Sequence, residues 1–453
     1  MKQTNALKSL TMGLIDGGGE VFTNFPGYMS HKLFSSLGGK RTSVNEKTAY
    51  EIAWGSSFAG KRSVVMFKNV GLNDAADPFL SSMLVGVNAG LVVVVFDDVF
   101  VEGSQSRQDS RHYFDFFGGL WFEPYSIQSA YDISYKAFSL SEKFQIPVVI
   151  RITNQFFDLI GSCKRSKKLK KTSHLIRDHR RFVIHPINSK FQRQTLTKKN
   201  LQIEKFINSD YLYHRSNGKK QLLVFGCCKT EESKCIKEGY SKTQVITYPF
   251  PKLIGQFINK SSELVVLEQG DNFACRKVFE RESHNFQIKS DTGFVPDVSK
   301  GYIRTANYEK LFTALKEIKK GLLIGDLGEY TKDTFDSIDA VLCFGSSVGV
   351  GIGCLLSGQK NVFSITGDGA YLHSGKNSIV EALDKNLPLK IIIICNGGSQ
   401  GTGGQHIPGE LYYQPKGVKV FKLNYKKADK LAITKVLKSM TKEKNVSVLY
   451  LEM

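Results

Sequence analysis

The stretch Gly367–Gln405, GDGAYLHSGKNSIVEALDKNLPLKIIIICNGGSQGTGGQ, constrains this chain more than any other. It begins where a short apolar run meets Gly-Asp-Gly, a turn signal. About one helix later a second apolar run, Leu389–Cys395, ends at Asn396. Such a strand–helix–strand unit sets two strand ends side by side in a parallel sheet. Asp368 and Asn396 then meet at the carboxyl edge of that sheet, where open α/β sheets bind ligands. A carboxylate and an amide oxygen are hard donors suited to Mg²⁺ or Ca²⁺. Gly367 and Gly369 let the backbone approach a diphosphate closely. The competing reading is an ordinary turn with a chance Asp and Asn. The spacing of the pair, each after an apolar run, argues against it.

The rest of the chain is built on the same plan. At 453 residues it is long enough for two or three domains, each with its own core. The first segment alternates apolar runs (VFTNFP, SVVMFK, LVVVVFDD, PVVIRIT) with helical spacing over 46–59 and 132–144. That predicts a parallel sheet covered by helices over residues 1–160. Composition then shifts to Lys, Arg, Ser and Asn with little periodicity, and 161–215 reads as a basic linker or irregular insertion. Alternation returns with QLLVFGC, TQVITYP and ELVVLEQG, a smaller α/β unit over 216–295. A third α/β unit, 296–453, holds the opening stretch.

Composition excludes several functions. No apolar run is long enough to span a membrane, since Gly90–Phe96 is followed at once by Asp97 and Asp98. The N-terminus lacks the apolar core and cleavage site of a signal peptide, so a cytoplasmic location is expected. The eight cysteines form no CxxC pair, which argues against zinc or an iron–sulfur cluster held by them. The net charge of +20 allows nucleic-acid binding. Its densest run, Lys164–Lys171, has no aromatic or glycine-rich RNA-binding pattern beside it, so a solvated face is the expectation.

Gly-Asp-Gly followed one unit later by Asn is the thiamine diphosphate signature. That cofactor works once its C2 proton is lost. A carboxylate on the pyrimidine N1′ favours the tautomer that removes it. Glu46, in SVNEKTAYEIAWGSSFAG, stands at a helix start and is the candidate. A first-turn carboxylate favoured by the helix dipole is the plainer alternative.

Ten stretches then carry a family resemblance: NFPGYMS, SVNEKTAYEIAWGSSFAG, FKNVGLNDAADP, GSQSRQDSRHY, PVVIRIT, ELVVLEQG, GDLGEY, LCFGSSVGVGIG, GDGAYLHSG and TGGQHIPG. In these and in their order the chain resembles the alpha subunit of indolepyruvate:ferredoxin oxidoreductase, of the 2-oxoacid:ferredoxin oxidoreductase superfamily. The resemblance implies a pyrimidine-binding first domain, a small transketolase-C-terminal-like domain and a diphosphate-binding third domain. It implies Asp368, Asn396 and the Gly398 carbonyl as metal ligands, and Glu46 as the cofactor activator. Gly345, Ser346 and Ser347, with Gly367, Gly369 and Ala370, would contact the diphosphate. Close helix packing is the other use for that glycine run. Pro26, Gly27, Thr402 and Gly403 would border the cofactor. His373 would act as general acid/base or merely hold the cofactor loop. Asn69, Asn73, Arg111 and Gln405 would face the substrate, with Arg111 pairing either a 2-oxoacid carboxylate or an ordinary surface acid. The resemblance also implies a homodimer, because the two cofactor-binding units of the superfamily normally meet across subunits.

The sequence departs from the family at four places. Tyr28 follows Pro26-Gly27 where Thr-Pro is usual. Glu329 stands where cysteine is frequent, and Cys395 where the family has aspartate. The sequence stops at Met453 without the family's ferredoxin-like domain. The expectation is therefore decarboxylation of a 2-oxoacid through a ylide and enamine, followed by protonation or carboligation. The alternatives are oxidation to an acyl-CoA with a separate iron–sulfur or small partner subunit, and a catalytically lapsed binding protein.

Overall fold

Runs such as Ser63–Lys68 and Leu91–Asp97 lack polar alternation, and both become strands buried on both faces. In this computed structural model the described residues are 3–99, 104, 107–169, 173–210, 212–213, 218–248, 263–282, 307–318, 321–333, 335–398, 400, 404–409, 411–412 and 415–453. The domain boundary expected at 295/296 lies outside them. A short antiparallel pair joins β1 (Gln3–Asn5) to β7 (Ile160–Ser162).

The first six-stranded sheet contains β2 (Val21–Asn24), β3 (Ser63–Lys68), β4 (Leu91–Asp97), β5 (Leu120–Phe122), β6 (Val148–Thr153) and β11 (Thr247–Tyr248). Its order is β11-β5-β6-β4-β3-β2, parallel except for β11. The small sheet contains β8 (Leu212–Tyr213), β9 (Lys220–Phe225), β10 (Ser241–Val245) and β12 (Glu263–Leu267), in the order β12-β9-β10-β8. The run TQVITYP, expected as one strand, is therefore two. Val245 ends β10, and Thr247–Tyr248 crosses to the first sheet to pair with β5.

The third sheet holds β13 (Leu323–Gly325), β14 (Ala340–Val341), β15 (Phe363–Gly367), β16 (Lys390–Cys395), β17 (Lys419–Asn424) and β18 (Ser447–Glu452), all parallel. In its order, β14-β13-β15-β16-β18-β17, the chain moves from β13 to one side and returns to the other. That reversal opens a crevice at the carboxyl ends of β13 and β15.

Two helices weld the outer units together. Glu46–Phe58 is buried from Lys47 onward, and it lies against Ser347–Leu356, also largely buried. A Cβ on Gly55 would stand 2.3 Å from the Val350 carbonyl oxygen, and one on Gly353 would stand 2.1 Å from that of Ile52. Close helix packing, the other use foreseen for GSSVGVGIG, is thus a real function of this run. The crossing aligns both helix starts at one end, with Lys47 beside Cys343 and Ser56 beside Gly353.

The stretch expected as a linker is instead largely ordered. A 25-residue helix spans Pro186–Asp210. Its buried Leu196, Ile203 and Ile207 form a narrow stripe, diluted in sequence by the polar residues between them. Just before it, Val183 bridges in parallel to Val341 at the sheet's edge. Among the described residues no helix is long and apolar enough to cross a membrane.

Candidate functional site

Asp368 follows the last residue of β15 and is almost fully buried. Its Oδ1 accepts the Gly369 amide at 2.8 Å. Its Oδ2 accepts the amides of Asn396, Gly397 and Gly398 at 3.2, 2.9 and 3.1 Å. Gly397 and Gly398, at φ +82° and +150°, let the chain after β16 curl its N–H groups around the carboxylate. In one amide orientation the Asn396 oxygen faces acceptors alone. The Gly398 carbonyl lies at 3.1 Å, and the Asp368 oxygens at 3.1 and 3.3 Å. Turned over, the amide donates to all three. A carboxylate, a carboxamide and a main-chain carbonyl thus converge on one point, the donor chemistry a hard divalent cation takes. These residues fit the metal that the motif implies. Cys395, one residue earlier, adds no charge: burial, and then the Asp368 charge, push its thiol up to about 12.

A cavity of about 640 Å³ opens beside this cluster. Gly367–Ala370, Asn396, Gly398 and Gln400 line one side, and Leu327–Lys332 and Phe344 another. Its remaining wall is Ile184, His185, Pro186 and Ser189, from the stretch expected to be a linker. His185 closes that wall by capping the long helix: its Nδ1 accepts the Ile187 amide at 3.3 Å. No motif marked these four residues.

Gly345 takes φ +82°, and a Cβ there would meet Ser374 Oγ at 1.9 Å. The two serines after it are engaged inside the protein. Ser346 Oγ donates to the Cys343 carbonyl at 2.7 Å. Ser347 gives its amide and its hydroxyl to Asp326, both at 2.9 Å. The expectation that these hydroxyls reach a diphosphate is not met in this structure, because closing the turn and holding buried Asp326 occupy them.

Glu46 begins its helix behind Asn45, whose side chain accepts the Thr48 amide at 2.7 Å. The carboxyl lies against Gly71, where a Cβ would meet Glu46 Oε1 at 2.6 Å. Burial, and also the nearby Asp74, raise its pKa above the ordinary range. Glu46 does not line the 640 Å³ cavity. Its neighbours tie it to the same end of the third unit. Thr48 Oγ1 lies 3.1 Å from Ser378 Oγ, and Glu381 takes the Ser43 hydroxyl at 2.9 Å and the Val44 amide at 3.2 Å. These contacts are made within one chain.

The remaining candidates separate. His373 is exposed in the π-type turn Tyr371–Gly375, its ring edge-on to Phe344 at 5.2 Å. Pro26 is exposed, and Gly27 packs on Lys68. Tyr28 adopts φ +45° with its ring edge-on to Phe157. Asn69 is buried and donates to Asp98 Oδ1 at 2.8 Å and to the Gln108 carbonyl at 2.6 Å. Asn73 is exposed, reached by Tyr113 and donating to Gln108 at 3.1 Å. Gln405 is exposed, and Thr402 and Gly403 lie outside the described residues. Arg111 corrects both of its readings. It is fully buried, its Nη1 donating to Glu268 at 2.6 Å, its Nε to Asp109 at 2.9 Å and its Nη2 to the Asp271 carbonyl at 2.8 Å. It is neither a surface ion pair nor placed to take a substrate carboxylate.

Residues 328–446, which hold this cluster, match the family described as thiamine pyrophosphate enzyme, C-terminal TPP binding domain. Over 89% of its length the chain is 25% identical to the indolepyruvate oxidoreductase subunit IorA of Archaeoglobus fulgidus, covering 76% of that protein. The chain is similar to the IorA subunits over most of its length, and its third unit matches a thiamine pyrophosphate-binding domain. A solved structure of a putative thiamin diphosphate-dependent enzyme from Mycobacterium smegmatis shares the fold across 99% of both chains, at 14% identity and a TM-score of 0.54. The 2-oxoglutarate:ferredoxin oxidoreductase of Magnetococcus marinus shares it over 61% of this chain and 60% of its own, at 13% identity and a TM-score of 0.50.

Proposed function

We propose that this chain binds thiamine diphosphate through Mg²⁺ or Ca²⁺ and uses it to decarboxylate a 2-oxoacid. The observation that carries the reading is the convergence of the Asp368 carboxylate, the Asn396 carboxamide and the Gly398 carbonyl beside a cavity at the sheet's switch point. Bound cofactor supplies a carbon nucleophile and an electron sink for the bond to the departing carboxylate.

The chain's own residues do the rest. Asp368, Asn396 and the Gly398 carbonyl hold the cation that neutralises the diphosphate. Gly369 and Ala370 let the backbone come close. Glu46 holds a proton at its carboxyl for the pyrimidine N1′, and the partial burial that raises its pKa suits that task. To His373, exposed at the π-type turn and outside the cavity lining, we assign proton exchange with substrate or product. Asn73, Gln108 and Tyr113 form a polar group for substrate, a role from which Arg111 is withdrawn. The helix starts carrying Glu46 and the Ser346-Ser347 turn meet within one chain, with Glu46 itself outside the cavity lining.

The final step we assign to protonation or to capture by an aldehyde. A second reading, oxidation to an acyl-CoA with electrons leaving to a separate carrier or partner subunit, is favoured by relatives that bear the name indolepyruvate oxidoreductase. Product analysis with a panel of 2-oxoacids, with and without ferredoxin, coenzyme A and aldehydes, separates the two. Free aldehyde or hydroxyketone supports the first. Product only in the presence of ferredoxin and coenzyme A supports the second. No cofactor-dependent CO₂ from any acid sinks both.

A further inference from the structure

We propose that the hydroxyl of Tyr330 donates a hydrogen bond to an anionic oxygen of the bound diphosphate. The inference rests on the thiamine diphosphate reading of this site. Tyr330 lies in the short turn Glu329–Lys332 after β13 and lines the same cavity as Asp368, Asn396 and Gly398. It is 2% exposed, and its hydroxyl finds no acceptor among the described residues, the backbone amides of Gly367 and Asp326 lying on its oxygen side. A buried donor without an acceptor destabilises the protein, so such a group in a cavity wall points to a ligand that completes it.

The ring's position is fixed by its surroundings. Gly328 leaves room for it, since a Cβ there would stand 2.5 Å from Tyr330 Cε1. Tyr308 meets it edge-on at 6.3 Å, and Tyr425 backs Tyr308 at 6.5 Å. A Cβ on Gly367 would lie 3.9 Å from the same Cε1, which places the ring edge beside the residue preceding Asp368. The hydroxyl is therefore held at the metal end of the cavity. Burial, and then the Asp326 charge, keep its pKa well above the ordinary value, so the group stays a neutral donor. Ser346 and Ser347 have their hydroxyls engaged within the protein, and Tyr330 offers the one they do not.

The test is Tyr330→Phe, which removes one oxygen and keeps the ring. Calorimetric titration with thiamine diphosphate at fixed Mg²⁺ should show affinity lower by roughly 10- to 100-fold, the worth of a hydrogen bond to a charged group. Inorganic diphosphate with Mg²⁺ should weaken by a similar factor. Without ligand, the variant should melt at the same temperature as the unaltered protein or higher, because an unpaired donor is gone. Unchanged affinity for both ligands overturns the proposal. So does a lower melting temperature without ligand, which would mean that the hydroxyl is bonded inside the protein. If the unaltered protein fails to bind thiamine diphosphate, the cofactor reading falls and Tyr330 with it. Binding that only Asp368→Asn impairs leaves the cofactor reading standing and overturns Tyr330 alone.

Discussion

The two large parallel sheets end in opposite ways. At the carboxyl edge of the first, charges cancel in the dark. Arg151 donates to Asp97 at 2.6 Å, to Glu123 at 2.8 Å and to the Gln269 carbonyl at 2.9 Å, and neither it nor Arg111 is exposed. Although burial opposes it, Arg151 and then Arg111 hold Asp109 down at about 2. Gly270, at φ +115°, brings the small unit's backbone onto Asp109. At the edge of the third sheet, the Asp368 carboxylate accepts backbone amides and lies against the Asn396 carboxamide, beside an open cavity. The same architecture thus makes a sealed joint where cations are built in, and an open edge where, on the proposed reading, the cation comes from outside.

Breaking the sealed joint should have the largest effect. Arg151→Met leaves Asp97 and Glu123 buried without their partner, and about 3–5 kcal/mol of stability should be lost. Urea unfolding reads this, and a loss under about 1 kcal/mol would mean that the network is not a joint. The open edge should respond differently. Asp368→Asn should cost less, about 1–3 kcal/mol for the backbone amides its carboxylate accepts, but weaken Mg²⁺-dependent cofactor binding by roughly a hundred- to a thousand-fold, the scale of a lost metal charge contact. Equal damage to stability and binding would erase the contrast between the edges.

Two smaller tests concern the helix between the sheets. Glu46→Gln should hold cofactor within a few-fold while C2 proton exchange, followed by NMR in deuterated buffer, slows roughly 100-fold. Unchanged exchange would return Glu46 to the role of a helix-start carboxylate. Glu51, fully buried, has its pKa pushed up by burial to about 8 from 4.5, against the pull of Lys47 at 3.5 Å. A raised folded-state pKa gives stability that is fully present below the unfolded value and lost as pH rises through the folded one. The protein should therefore lose stability between about pH 4.5 and 8, and Glu51→Gln should flatten that slope. Melting curves with parallel slopes for the two proteins would rule this out.

Much of this was legible in the sequence. Gly-Asp-Gly and Asn396 after apolar runs announced a strand–helix–strand edge, and the structure sets Asp368 and Asn396 in contact. Arg111 was not legible, because a guanidinium motif looks the same whether it meets substrate or buried carboxylates. The helix Pro186–Asp210 was missed because lysines and polar residues dilute its apolar stripe. Ser346 and Ser347 were read as phosphate ligands because a motif cannot say that Asp326 already holds Ser347 and a turn closes on Ser346.

By itself, then, the sequence determined what depends on short-range pattern: the alternation of strands and helices, the hard-oxygen pair one unit apart, and hence the kind of cofactor. Only the tertiary structure decided which polar groups had already found partners. Arg111 and the serine hydroxyls are satisfied within the protein, and the Tyr330 hydroxyl finds no acceptor among the described residues. It also brought Glu46 to the same end as the third unit within one chain, through glycine contacts hundreds of residues apart in sequence. The physical reason is range. Periodicity is set by neighbours along the chain, whereas desolvation and hydrogen-bond satisfaction are set by whatever packing brings from afar.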